Sequence, residues 1–69
     1  MDITRAKDEL IELYFRQLEA GFPTGSMVQI RNTAIVLAKA GEIEYPELML
    51  EVRRAALYKL STKRRLSGR

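Results

Sequence analysis

The chain has 69 residues, 46% of them hydrophobic and 30% charged, with a formal net charge of +3. That length allows one domain with a small core, because so short a chain buries only about 60% of the surface its unfolded form exposes. Neither cysteine nor histidine is present, which excludes disulfides, thiolate nucleophiles, thiolate or imidazole metal sites and the commonest general base.

The first predicted helix covers about residues 2–20, with Asp2 as N-cap and Glu12 and Arg16 as a favourable i,i+4 pair. Leu10, Tyr14 and Leu18 are its expected core or dimer-contact positions, and Phe15 is expected in the core. The apolar stripe is wider than one packing face needs. Gly21 suits the left-handed position that closes a helix, and the run Gly21-Phe22-Pro23-Thr24-Gly25 is turn chemistry. That run is no phosphate loop, since the spacing between its glycines is one residue short and Ser26 stands where lysine is needed.

Ser26 and Gln29 have the spacing of a capping box, which predicts a second helix over about 27–40 with Gly41 past its end. Ile30, Ala34 and Leu37 are its core or dimer positions, and the five consecutive apolar residues Ala34 to Ala38 ask for partners on two sides. Pro46 suits a first helical position and Glu47 a helix N-terminus, so a third helix is predicted over about 46–61, with Val52 in the core. Residues 62–69 are expected to form a basic, mobile tail. The fold class is therefore all-α: a small three-helix, helix-turn-helix-like domain, with an intertwined or face-packed homodimer covering the surplus apolar surface.

Charge is segregated along the chain. Residues 1–51 hold five cations against all nine acids, a net of −4, whereas residues 52–69 hold seven cations and no acid. Catalysis is not expected: the serines have no histidine to activate them, and Asp8, Glu9 and Glu12 suit a solvated face better than a metal site. No cofactor, metal or membrane span is expected. Met1-Asp2-Ile3-Thr4 does not begin a signal peptide, so a cytoplasmic location is expected.

Two binding readings use the same residues. The third helix and basic tail could serve a helix-turn-helix DNA-binding regulator, but bulky Leu37 sits four positions before Gly41 and Glu47 and Glu51 would face phosphates. A protein interface fits better. Arg53, Arg54 and Tyr58 have the composition of interface hot spots, and Glu9 and Glu12 on the first helix could meet a basic partner.

In overall length and in the helical layout Leu10 to Leu18, Met27 to Ala40 and Pro46 to Leu60, the chain resembles the phage-encoded quorum-sensing anti-activators of Mu-like Pseudomonas phages. The resemblance implies a helical homodimer, acting in the host cytoplasm, that binds the DNA-binding domain of a LuxR-type regulator and blocks its access to promoters. It also implies a second partner, the assembly ATPase of type IV pili. Nucleic acid is the alternative partner.

Overall fold

The computed structural model describes residues 2–67, and over these its regular elements are three helices: α1 (Ile3–Glu19), α2 (Ser26–Gly41) and α3 (Tyr45–Ser67). Asp2 caps α1, its Oδ1 accepting the Arg5 backbone N–H at 3.2 Å. At the other end Gly21 takes φ 79°. The Phe22 N–H donates to the Gln17 carbonyl at 2.8 Å and the Gly21 N–H to Leu18 at 3.2 Å, the pair of bonds that closes a helix through a left-handed residue. Phe22 then rests edge-on against Tyr14, ring centroids 5.4 Å apart.

Both ends of α2 depart from expectation. There is no capping box: Ser26 is itself helical, and left-handed Gly25 (φ 88°) holds the cap position without a side-chain bond. A capping hydroxyl needs extended backbone at its own residue. Starting the helix one residue early therefore turns the Ser26 hydroxyl inward, where it is buried and makes no hydrogen bond. At the far end the left-handed residue is Glu42 (φ 53°), not Gly41. Gly41 is helical, and a Cβ there would lie 3.1 Å from Ile43 Cδ1 and 3.4 Å from Ile3 Cγ2, so the glycine serves close packing. The Ile43 N–H donates to Ala38 at 2.9 Å and the Glu42 N–H to Lys39 at 3.3 Å, closing α2 as α1 is closed.

α3 begins at Tyr45, one residue before Pro46, and continues six residues beyond Ser61, where fraying was expected. Lysine, arginine and leucine are good helix formers, and Lys63 ties this stretch to Glu19 of α1, so the helix persists. Of the expected mobile tail, residues 62–67 are helical, while 68–69 lie outside the described residues.

The core joins Leu10, Tyr14 and Phe15 of α1, Ile30, Ala34, Leu37 and Ala38 of α2, and Leu48, Val52 and Ala56 of α3. Leu18 is not among them. It lies in the last turn of α1, beside the loop to α2, and is only half-buried. Lys7 pairs with Glu51 at 3.2 Å, Glu12 with Lys59, and Glu19 with Lys63. Both residue numbers rise together, so α1 and α3 run parallel, side by side over about 18 Å of helix. α2, joined to each by a short loop, packs against both. The molecule measures 42 × 26 × 18 Å, the long dimension reflecting the 23 residues of α3.

Candidate functional site

The acids and bases of the sequence are distributed very differently once folded. Glu12 is half-buried and bridges to Lys59 of α3 and, at 3.8 Å, to Arg16. A hydrogen bond from the Lys59 ammonium, helped by the charges of Lys59 and Arg16 and opposed by partial burial, holds its carboxyl below the ordinary range. Glu19 is engaged by Lys63. The two lysines also lie over the Phe15 ring, 5.4 and 5.7 Å from its centroid, so their ammonium groups are fixed by both a carboxylate and an aromatic face. Glu9 is exposed and pairs with Arg5 at 3.5 Å. Of the two acids singled out for partner contact, Glu9 therefore faces solvent, whereas Glu12 belongs to the α1–α3 seam.

The other three singled-out residues, Arg53, Arg54 and Tyr58, come together on the exposed side of α3, with Tyr58 72% exposed. Two leucines that the sequence reading passed over join them there: Leu50 and Leu57 are 47% and 44% exposed. At about 100° per residue both fall nearly opposite the buried line Leu48, Val52 and Ala56. Arg53 and Arg64 fall roughly 40° to one side of the leucines, and Arg54 and Arg65 roughly 60° to the other. Among the described residues none of these four arginines forms an ion pair. No acid occurs after Glu51, which is itself paired with Lys7. The outward face of α3 is thus a short apolar line, bordered on both sides from Arg53 onward by guanidinium groups without ion pairs among the described residues, while exposed Glu47 stands in line with the Arg54–Arg65 row at the start of the helix.

The signal for Leu50 and Leu57 was present as a seven-residue repeat, and for the arginines as an eleven-residue repeat of two Arg-Arg pairs. A basic tail over 62–69 would separate the second pair from the helix, and only the continuation of α3 to Ser67 brings both pairs onto one face.

A smaller groove of about 320 Å³ at the start of α3 is bounded by Tyr14, Pro46, Met49, Leu50 and Arg53, and two larger apolar grooves lie elsewhere on the surface. One, of about 410 Å³, lies between α1 and α2 over Ala6, Leu10, Leu13, Val36 and Leu37. The other, of about 510 Å³, has Phe15 as its floor, with Tyr58, Thr62 and Leu66 around it. Among the described residues no cluster of acids could hold a metal ion, and no helix is long and apolar enough to cross a membrane. Comparison with known proteins finds no matching family model, no matching curated protein and no matching solved structure.

Proposed function

We propose that this chain is a small, non-enzymatic protein-binding regulator that acts by occupying a partner's surface, with the outward face of α3 as its contact. The observation that carries this reading is the exposure of Leu50, Leu57 and Tyr58 among four arginines that form no ion pair among the described residues. Leucine and tyrosine gain from desolvation against another protein, and arginine adds forked hydrogen bonds, a combination enriched where interfaces hold most of their energy. The resemblance to phage anti-activators suggests an inhibitor, in the host cytoplasm, and this reading keeps that class. It moves the contact from the acids of α1 to the basic face of α3. The target it favours is accordingly acidic, unlike a DNA-binding domain.

Affinity capture from nuclease-treated bacterial lysate tests the proposal, with the wild type compared against the double variant L50S/L57S. A stoichiometric protein held by the wild type and lost from the variant is expected. Recovery that collapses with nuclease would refute it and favour the second reading, a nucleic-acid binder, which these arginines also suit. Salt separates the two: on duplex DNA the log–log slope is about −0.9 per neutralised phosphate.

A homodimer remains part of the proposal. Val28 and Val36 on α2 are 62% and 60% exposed, and the adjoining α1–α2 groove is apolar, so a second copy would pack there and leave α3 open. Sedimentation equilibrium is expected to give twice the chain mass, reverting to the monomer in V28S/V36S.

A further inference from the structure

Resting on the protein-binding reading above, we infer that the partner element is an acidic amphipathic helix. It lies lengthwise along α3, with its apolar residues on Leu50 and Leu57 and its carboxylates against the two rows of arginine.

The face has the dimensions for this occupant. Leu50 and Leu57 stand about 10.5 Å apart along the axis, two turns, and each arginine row spans about 16.5 Å, three turns. A helix presents side chains at the same repeat, so its i and i+7 apolar residues can meet both leucines while the residues flanking that stripe reach the arginines on both sides. The flanking residues must be acids. From Arg53 onward α3 carries no carboxylate, and its four arginines, which form no ion pair among the described residues, would otherwise lose hydration without gaining a partner; their planar forks suit two-point contact with carboxylates.

Other occupants fit less well. Self-association through this face is disfavoured by charge, since two α3 faces placed together would set arginine against arginine. A phosphate backbone satisfies the arginines but not the leucines, which lie between the rows and would be covered by anionic groups with no apolar gain.

The probe is a three-heptad synthetic peptide with leucine at its a and d positions and glutamate at e and g. Repulsion between glutamates disfavours its self-pairing. Its comparators are a scrambled peptide of the same composition and a two-turn DNA duplex. Binding is followed by fluorescence anisotropy and mapped by amide chemical shifts, with circular dichroism confirming that each variant is folded. The heptad peptide is expected to bind and to shift Leu50, Arg54, Leu57 and Arg65, while the scrambled peptide binds at least about tenfold more weakly. L50S/L57S is expected to weaken the peptide about tenfold and R54E/R65E more.

Equal binding of the scrambled peptide overturns the inference, because charge alone then suffices. DNA binding insensitive to L50S/L57S overturns both the helix and the protein reading. Failure of the heptad peptide overturns the helix alone if a cellular protein is still captured through Leu50 and Leu57, and both readings if none is.

Discussion

Ser26→Ala is the substitution on which the sequence and the structure disagree in sign. As the hydroxyl of a capping box, Ser26 would contribute about 0.5–2 kcal/mol, and its removal would destabilise the chain. In the structure the residue is 9% exposed, is helical, and its Oγ makes no hydrogen bond. A buried hydroxyl without a partner costs about 1–3 kcal/mol, and alanine adds a few tenths through helix propensity. Against this, the lost oxygen leaves a small void and forfeits its dispersion contacts, up to about 1 kcal/mol. The balance is a gain of about 1 kcal/mol, which in a domain of this size raises Tm by about 4–8 °C. Thermal and urea unfolding followed by circular dichroism at fixed protein concentration reads it directly. Gln29→Ala serves as companion: a capping box needs the amide, whereas Gln29 is exposed here, so a change within about 0.5 kcal/mol is expected. A loss of stability in both variants would refute the inward placement of the hydroxyl and restore the box.

Glu42→Gly should stabilise by about 1 kcal/mol, since it relieves a side chain held at φ 53° and removes an acid from the C-terminal end of α2; urea midpoints measure it. Leu48→Ala empties a fully buried position and should cost about 2–5 kcal/mol, enough to leave so small a domain largely unfolded, visible as collapsed amide dispersion. The lowered pKa of Glu12 means that its ionised form favours the folded state. That contribution is complete above the unfolded value, about 4.5, and is lost as pH falls through the lower folded value. Glu12→Gln should therefore flatten the acid limb of a Tm–pH profile, and an unchanged limb would contradict the Lys59 pairing.

Much of the fold is legible in residues whose chemistry is local. Asp2 as a cap, Gly21 as a left-handed stop and the punctuation before Pro46 each depend on the nearest few residues, and each stands where expected within a residue or so. The misplaced details depend on distant neighbours. Gly41 resembles a helix terminator, but its use is set by Ile3, at the opposite end of the chain, and by Ile43. Leu18 has the right periodicity for the core, yet a position in the last turn denies it full cover. The full length of α3 is not legible locally, because lysines near its end suggest solvation, whereas the partners of Lys59 and Lys63, Glu12 and Glu19, lie more than forty positions earlier.

The candidate face was partly legible for the same reason. Arg53, Arg54 and Tyr58 are conspicuous by composition, but whether a cation is available to a partner depends on what the fold has already given it. The cations of α3 divide by type. Lys59 and Lys63 are held against α1 by carboxylates and the Phe15 ring, where a flexible stem and a compact charge suffice. Arg53, Arg54, Arg64 and Arg65 form no ion pair among the described residues and lie on the opposite side, where a planar, forked donor is most useful to an incoming carboxylate. End-to-end polarity in the sequence therefore overstates what a partner meets, since the seam between α1 and α3 neutralises part of both halves. Reversing Glu12 perturbs that seam before it perturbs any partner, whereas reversing Glu9, paired only with Arg5 on its own helix, leaves the seam intact. A partner contact on the acidic side of the molecule is thus probed cleanly at Glu9 alone, and one on the basic side at Arg54 and Arg65.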